Sequence, residues 1–317
     1  MEFRRVVVTG AAGFIGSHLA DRLLSMGAEV VAIDNFDTYY EGKEQNVQHN
    51  LANPRYKLIK LDILELDSLI DAFKGADVVF HLAAQPGVRF SMNNPHKTNR
   101  INVSGTLNVL LAVLKCGVKR LVYASSSSVY GVPVYLPMDE NHPTNPISVY
   151  GASKLAAEKY CRVFYEAYKL PVVILRYHTV YGPRQRPDMA IHKWTKRLLE
   201  GKPPIIYGDG KQTRDFTYID DIVDGTIKAA ETENIEGETF NLGSGKRTEI
   251  NKIVKMLLKI TGKDINPVYE PAKKGDVPHT HADITKAKKI LGYSPKFTLD
   301  DGLEKFVSWY ESKTPCA

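Results

Sequence analysis

The stretch Gly10-Ala11-Ala12-Gly13-Phe14-Ile15-Gly16 joins two segments of different pattern. Residues 4–9 before it form a β-branched run, whereas residues 14–26 after it carry apolar side chains at helical spacing and lead to a strand-like run at 29–33. Glycines in such a turn let the backbone approach a pyrophosphate, which then faces the positive end of the helix. The pattern predicts a dinucleotide site at Gly10, Gly13, Phe14, Ile15 and Gly16. An ordinary glycine turn is the alternative.

Strand-like and helical segments continue to alternate beyond this turn. Further strand-like runs lie at 57–61, 78–82, 120–124 and 172–176, with helical patterns near 67–73, 102–116 and 150–168. Strands that are apolar throughout are typical of a parallel sheet covered on both faces. The sequence therefore predicts an α/β protein with a Rossmann-type, doubly wound parallel sheet.

The alternation ends after Arg176, where turn sequences such as Gly208-Asp209-Gly210 separate shorter elements. We expect residues 1–179 with about 215–245 to form the dinucleotide-binding domain. About 180–214 with 246–317 would then form a smaller C-terminal α/β lobe that binds the substrate. Residues 215–242 resemble one more strand and helix that return to the main sheet.

The composition of the chain excludes several classes of protein. The chain has 317 residues, 42 Lys and Arg against 36 Asp and Glu, and 43% hydrophobic residues, which excludes a disordered chain or a small disulfide scaffold. The excess positive charge is spread out, so we expect no nucleic-acid partner. No apolar run reaches the ~18 residues of a membrane span. Cys116, Cys161 and Cys316 have no metal-ligand spacing, which predicts no metal site and reduced thiols in the cytoplasm.

Asp34 ends the second strand-like run, 18 residues after Gly16. A carboxylate there can accept hydrogen bonds from ribose hydroxyls and would repel a 2′-phosphate, so NAD is favoured over NADP. A solvated Asp at a strand end is the alternative, and Asp62 could instead cap the next helix. The ends of neighbouring strands add the remaining candidate NAD contacts: Asn35, Asp62, Ile63, Leu82, Ala83 and Ala84.

Tyr150 and Lys154 lie four residues apart at the start of a predicted helix and so project from one face. An ammonium beside a phenol stabilises the phenolate, and Tyr150 could then act as a general base. An aromatic anchor with a surface lysine is the alternative. The run Ser125-Ser126-Ser127-Ser128 closes the fifth strand at the edge where doubly wound sheets bind ligands. Its hydroxyls can orient a substrate alcohol, although serines also occur in ordinary turns.

These residues carry a resemblance. The chain resembles the nucleotide-sugar 4-epimerases of the extended short-chain dehydrogenase/reductase family in four motifs. These are the glycine turn with Thr9, Ser126 before Val129-Tyr130-Gly131, Tyr150-Gly151-Ala152-Ser153-Lys154, and Arg214-Asp215-Phe216. The resemblance implies NAD in the first domain, a UDP-sugar in the lobe, and a homodimer through the helices at about 94–116 and 149–169. It also implies that Ser126 binds the sugar O4, Tyr150 accepts its proton, and Lys154 holds NAD with Tyr150.

The resemblance bears on the substrate as well. Sugar dehydratases and UDP-glucuronate decarboxylases carry acidic residues where this chain has Ser127 and Ser128. The segment 176–190 is similar to UDP-glucuronate 4-epimerases, in which the positions of Thr179 and Arg186 hold the C6 carboxylate. We therefore expect conversion of UDP-glucuronate to UDP-galacturonate. The alternatives are a UDP-glucose or N-acetylhexosamine 4-epimerase, a decarboxylase or dehydratase, and a non-catalytic NAD-binding scaffold.

The remaining substrate contacts also come from the resemblance. Arg89 would line the sugar pocket, Arg214 and Asp276 would bind the diphosphate and the uridine ribose, and Tyr207 would contact uracil unless it is core of the lobe. Lys273 stands where related enzymes often carry Arg, and Ser127 and Ser128 complete the set. Arg184 and Arg186 could instead contact only solvent or phosphate, and His178 is expected to be packed rather than catalytic.

Overall fold

A computed structural model describes residues 4–273 and 275–313; Cys316 lies outside them. The strands are β1 (Arg5–Thr9), β2 (Glu29–Asp34), β3 (Tyr56–Lys60), β4 (Val78–His81), β5 (Arg120–Ser126), β6 (Val172–Tyr177), β7 (Thr179–Tyr181), β8 (Ile205–Tyr207), β9 (Thr213–Arg214), β10 (Phe216–Tyr218), β11 (Thr239–Leu242), β12 (Thr248–Glu249) and β13 (Val268–Glu270).

The helices are α1 (Phe14–Ser25), α2 (Lys43–Val47), α3 (Leu66–Phe73), α4 (Val88–Asn93), α5 (Pro95–Asn99), α6 (Thr106–Cys116), α7 (Val149–Tyr168), α8 (Ala190–Leu199), α9 (Ile219–Glu231), α10 (Ile250–Thr261), α11 (Thr285–Leu291) and α12 (Leu299–Lys313). A π-helical segment, Arg100–Gly105, joins α5 to α6. Short 3₁₀ helices cover Gln48–Asn50 and Ser127–Val129.

The main sheet has seven strands in the order β11-β6-β5-β4-β1-β2-β3, and every neighbouring pair is parallel. The chain moves outward from β1 to β3, then returns to β4 on the other side of β1. This reversal between β1 and β4 leaves a crevice at the carboxyl ends of the strands, the usual ligand site of such sheets. The predicted doubly wound fold is confirmed.

Burial explains why the strands are apolar throughout. Val6 and Val8 pack into the core on one face of the sheet, and Val7 packs into the core on the opposite face. All three are fully buried, and each such side chain contributes about 2 kcal/mol through its removal from water. Helices therefore cover both faces, as a parallel sheet requires.

Two details differ from the sequence expectation. The strand directly after Asp215, β10, pairs with β7 in a small separate sheet, and β11 is the strand that joins the main sheet, beside β6. The helical region before β5 begins at Pro95, earlier than the apolar pattern near 102–116 indicated but close to the limit of about 94 that the resemblance implied, and a proline at the first helical position supports a helix start. Beyond the main sheet, β8 pairs with β13 and β9 with β12.

No helix among the described residues is long and apolar enough to cross a membrane.

Candidate active site

The glycine turn at the end of β1 brings backbone close to backbone. Gly10 has a φ of +72°, and a Cβ atom on it would lie 2.7 Å from the backbone nitrogen of Ala83. A Cβ on Gly16 would overlap the carbonyl oxygen of Gly10. α1 begins after Gly13 without a side-chain cap, so N–H groups of its first turn remain for an anionic ligand.

Asp34 ends β2 beside this turn and is buried. Its carboxylate accepts hydrogen bonds from the backbone nitrogens of Ala12 and Phe36, at 3.0 and 2.9 Å. Burial raises the pKa of this carboxyl above its usual range, and the nearby charge of Lys43 and the two N–H donors act against that rise. The hydrogen bonds hold the carboxylate at the rim of the crevice.

Asp62 lies in the turn ahead of α3 and does not cap that helix, which was the alternative to a cofactor contact. One oxygen accepts a hydrogen bond from the backbone nitrogen of Leu64 at 2.9 Å, which forms a turn ahead of α3, and the other accepts one from the side-chain amide of Asn35 at 3.0 Å. Glu65, rather than Asp62, occupies the N-cap position of α3. Asp62 also lines the crevice together with Asn35.

All predicted cofactor contacts line one continuous cavity. Its wall includes Gly10, Gly13, Phe14, Ile15, Gly16, Asp34, Asn35, Asp62, Ile63, Leu82, Ala83, Ala84, Tyr150 and Lys154. The cavity therefore runs from the glycine turn and Asp34 to the Tyr150 and Lys154 pair, an extended shape that suits a dinucleotide. The pyrophosphate of a dinucleotide fits beside Gly10, which has no side chain, and at the uncapped start of α1.

Tyr150 and Lys154 occupy one face of α7, which begins where Ser148 accepts a hydrogen bond from the backbone nitrogen of Gly151 at 3.0 Å. Ser126, at the end of β5, hydrogen-bonds the Tyr150 phenol. The Lys154 ammonium donates to the carbonyl of Ala124 at 2.7 Å. β5 and α7 thus bring the three predicted catalytic side chains to the same end of the cavity.

Burial and nearby charge set the proton affinities of this group. Burial raises the pKa of the Tyr150 phenol, while the positive charge of Arg186 and the Ser126 hydrogen bond act in the opposite direction. Burial lowers the pKa of the Lys154 ammonium to about 8. A phenol that exchanges protons near neutral pH needs nearby positive charge, and Arg186 provides one source in this structure.

Arg186 lines the cavity beside Tyr150, and its guanidinium is already engaged. Its Nε and Nη2 donate to the two carboxylate oxygens of Asp188 at 2.9 and 3.1 Å. The Tyr39 hydroxyl donates to the same carboxylate at 3.0 Å. Arg184 in turn pairs with Asp21 of α1 at 2.7 Å. The alternative that both arginines contact only solvent or phosphate is therefore wrong, because each has a carboxylate partner.

Five predicted substrate residues form a second cluster, in which Arg89 of α4 meets side chains from residues 207–276. The Arg89 guanidinium and the Lys273 ammonium each lie 4.6 Å from the centre of the Tyr207 ring. Arg89 also pairs with Asp276 at 2.9 Å. The Arg214 side chain donates to the carbonyls of Thr213 and Pro278, and burial lowers its pKa while Asp276 opposes that shift. Tyr207 is half-buried, so it is not core of the lobe.

Ser127, Ser128 and Thr179 are the remaining predicted substrate residues. Ser127 and Ser128 form a half-buried 3₁₀ turn, in which the Ser128 backbone nitrogen donates to Ser126 Oγ at 3.1 Å. Thr179 is half-buried at the start of β7. These three residues are not part of the wall of the extended cavity as described. His178 is buried beside Tyr130, as expected for a packed histidine.

Several cavity residues were not predicted. Tyr39, Tyr40 and Lys43 follow β2 and line the cavity near the glycine turn, and Gln85 and Tyr177 line it elsewhere. Their sequence signal is weak because aromatic residues in an irregular segment have no periodicity. Asp188 lay inside the quoted 176–190 segment, but only the fold reveals its bond to Tyr39. Within residues 4–273 and 275–313, no group of three or more His, Cys, Asp or Glu side chains could hold a metal ion.

Comparison with known proteins decides the family. Residues 6–243 match the model of the NAD-dependent epimerase/dehydratase family. The chain belongs to this family. It is an enzyme of the extended short-chain dehydrogenase/reductase type. Its cofactor is NAD, and the residues that line the cavity described above fit this dinucleotide.

Solved structures of this family narrow the reaction. UDP-glucuronic acid 4-epimerase from Bacillus cereus, bound to UDP-glucuronic acid and NAD, is 43% identical with a TM-score of 0.92, over 97% of this chain and 99% of that one. UDP-glucose 4-epimerase from Thermotoga maritima, bound to UDP-glucose, is 37% identical with a TM-score of 0.91, over 97% and 99%.

A third relative has another substrate. UDP-N-acetylglucosamine 4-epimerase from Methanobrevibacter ruminantium, in complex with UDP-N-acetylmuramic acid, is 34% identical with a TM-score of 0.93, over 99% of this chain and 100% of that one. These matches identify the present family member as an NAD-dependent nucleotide-sugar 4-epimerase, which is an isomerase. They span three sugars, so the family match leaves the sugar of this epimerase undecided.

Proposed function

We propose that this epimerase interconverts UDP-glucuronate and UDP-galacturonate at C4. The observation that carries the proposal is the position of Arg186, whose guanidinium lines the same cavity as Tyr150 and Lys154 and whose charge acts on the Tyr150 phenol. A uronic acid brings a carboxylate to the reacting end of the site, and an arginine can bind a carboxylate through two parallel hydrogen bonds. Thr179 would supply a hydroxyl to the same carboxylate.

The reaction needs a base for the O4 proton. NAD bound in the extended cavity would supply the acceptor for the C4 hydride and the donor that returns it. Tyr150 takes the O4 proton, Ser126 orients O4 through its hydroxyl, and Lys154 holds the ribose next to the nicotinamide and supports the phenolate with its charge. The 4-keto sugar then turns about its diphosphate and presents its other face, and Tyr150 gives the proton back to O4. The net change is inversion at C4.

The 4-keto form of a uronic acid is a β-keto acid and is prone to lose its carboxyl group. An arginine that holds the carboxylate away from the decarboxylating orientation would protect it. Ser127 and Ser128 have hydroxyls of ordinary acidity where dehydration or decarboxylation would need an acid and base. Both observations favour epimerisation over these reactions.

We assign the nucleotide to the second cluster. Tyr207 would contact uracil, and Asp276 would accept hydrogen bonds from the uridine ribose. Arg214, Arg89 and Lys273 supply positive charge for the diphosphate; a lysine at position 273 keeps this charge without the planar fork of an arginine. The Arg89 pair with Asp276 would open or shift when the ribose binds.

We also propose the domain limits and the oligomer. The cofactor domain would comprise residues 1–179 and about 215–245, and the substrate lobe about 180–214 and 246–317. The homodimer would bury apolar side chains that α6 and α7 leave exposed, namely Leu111, Leu114, Tyr160 and Val163. Sedimentation of wild-type protein and of Val163→Glu tests the dimer: a monomer in the variant supports it, and a monomeric wild type overturns it.

The test of the substrate is a comparison of UDP-sugars. The purified enzyme is incubated separately with UDP-glucuronate, UDP-glucose and UDP-N-acetylglucosamine, and C4 configuration is followed by proton NMR of the intact nucleotide sugars. Conversion of UDP-glucuronate alone is the expected result. Conversion of either other sugar alone would overturn the role of Arg186, a pentose product would indicate decarboxylation, and no turnover by NAD-loaded protein would indicate a non-catalytic scaffold.

A further inference from the structure

One face of α7 is bonded to three consecutive residues at the end of β5. Side chains four residues apart on the helix make these contacts: Tyr150 with Ser126, Lys154 with the carbonyl of Ala124 at 2.7 Å, and Glu158 with the Ser125 hydroxyl. The first two belong to the catalytic group. Glu158 is the third member of the same face, and the mechanism above gives it no role.

Glu158 is held firmly. Nε and Nη2 of Arg176, on β6, donate to its two carboxylate oxygens at 3.0 and 2.8 Å, and both side chains are more than nine-tenths buried. Arg176 Nη1 donates to the Tyr130 hydroxyl at 3.1 Å. A buried ion pair with this many hydrogen bonds has little freedom to move, because any displacement leaves a charge without a partner.

We propose that Glu158 is a positioning residue for catalysis, which anchors α7 to β5 and β6 so that Tyr150, Lys154 and Ser126 stay aligned. A helix held only at Tyr150 and Lys154 could slide or rotate slightly against the strand, and misplacement by a fraction of an ångström is costly to a proton transfer. The Glu158 contact with Ser125 lies directly beside Ser126 in the chain. This role does not depend on which UDP-sugar is turned over.

Glu158 also balances charge around Lys154. The groups that face the ammonium are the ring of Tyr123 on β5, His81 on β4, Cys161 and Glu158 on α7, and Arg176 beyond Glu158. Burial lowers the pKa of Lys154 to about 8, and Cys161 and Glu158 oppose that lowering. Burial keeps His81 neutral, with a pKa of about 3. Removal of the Glu158 charge would leave Arg176 as an uncompensated neighbouring cation.

The test is Glu158→Gln, which keeps the size of the side chain and removes its charge. The dependence of kcat on pH is measured from about pH 6 to about pH 10 with UDP-glucuronate, or with UDP-glucose if the wild type turns over only that sugar. We expect kcat to fall about tenfold or more and its alkaline limb to move down by about one pH unit. Lys154 would then lose its proton more easily.

The matched control is Glu236→Gln. Glu236 pairs with Arg120 at the opposite end of the same strand, β5, at 2.6 Å. This variant also removes a carboxylate from a buried arginine, so thermal stability should fall in both variants. Only Glu158→Gln should move the alkaline limb. Equal pH profiles in wild type and Glu158→Gln, with reduced stability alone, would overturn the proposal and leave Glu158 a structural residue.

Ser125→Ala covers the case in which Glu158→Gln does not fold. It removes one hydroxyl and keeps both buried charges. We expect kcat to fall about threefold to tenfold with an unmoved alkaline limb, because the anchor beside Ser126 is lost while the charge on Lys154 is unchanged. Wild-type kcat in Ser125→Ala would overturn the positioning role. Substrate choice has no influence on either outcome, so failure here is distinct from failure of the UDP-glucuronate proposal.

Discussion

Arg186 donates its Nε and Nη2 hydrogens to both carboxylate oxygens of Asp188 in a bidentate ion pair. Tyr39, from the segment after β2, donates to the same carboxylate and so ties it to the cofactor side of the cavity. The pair orients the guanidinium and leaves Nη1 for a ligand. A substrate carboxylate would use that remaining edge or compete with Asp188 for the occupied one.

Arg186→Lys should separate uronate from neutral substrates. A lysine keeps the charge and loses the fork, so we expect the KM for UDP-glucuronate to rise about tenfold to a hundredfold and the KM for UDP-glucose, where turnover is measurable, to change little. Steady-state kinetics with each sugar measure this. Arg184→Lys is the matched control, because Arg184 pairs with Asp21 outside the cavity wall. Equal effects on both sugars would contradict a carboxylate contact.

Tyr150→Phe should abolish turnover and keep the cofactor. Loss of the general base lowers kcat by about 10²- to 10⁴-fold, whereas the phenylalanine ring still fills the same space. NAD content is read from the ultraviolet spectrum of the released nucleotide, and kcat from the NMR assay. Tyr168→Phe, at an exposed position at the far end of α7, should behave as wild type. Undiminished turnover in Tyr150→Phe would rule out its role as the base.

Acid should destabilise the fold through His81, which is buried, and His18, which is half-buried. Burial lowers the pKa of His18 to about 4 and that of His81 to about 3, each below the usual value of 6.5. The unfolded chain therefore binds more protons between about pH 4 and pH 6.5, and the free energy of unfolding falls as pH is lowered through that window.

Urea unfolding of NAD-saturated protein at about pH 7 and about pH 5 measures this loss. His18→Gln should reduce the difference between the two conditions, since one half-buried histidine no longer has to remain neutral. His96→Gln, at an exposed position, should leave it unchanged. A pH difference that is the same in His18→Gln as in wild type would contradict the contribution of His18.

Asp215→Asn should destabilise the contacts that join the segment before β10 to residues 244–245 and 282. Asp215 is fully buried, and its carboxylate accepts hydrogen bonds from the backbone nitrogens of Ser244, Gly245 and Ala282. An amide presents a donor to at least one of these N–H groups, so we expect a loss of about 2–4 kcal/mol in the free energy of unfolding. Asp209→Asn, which is exposed, serves as the control. A loss in the free energy of unfolding below that of Asp209→Asn would contradict the stabilising role of the Asp215 carboxylate.

Much of the cofactor site could be predicted from local pattern. Gly10 and Gly16 must be glycines because backbone atoms approach them closely, and Asp34 ends β2 beside them. The spacing of these residues in the sequence was therefore enough to predict that they lie together. The start of the helix at Pro95 was absent from the apolar pattern and came only from the family resemblance, and the pairing of β10 with β7 was not predicted. Both depend on which surfaces neighbouring segments present, and short elements without periodicity carry too little signal for such choices.

The sequence by itself determined the doubly wound sheet, the glycine turn and the spacing of Tyr150 and Lys154 on one helix face, because each is predicted by the spacing and polarity of residues close in the chain. Only the tertiary structure decided that Asp188 bonds to Tyr39, 149 residues away, and that Glu158 of α7 pairs with Arg176 of β6 beneath the catalytic residues. In each pair the two side chains lie on different elements, and burial, which makes a lone charge costly, selects such partners only once the chain has folded.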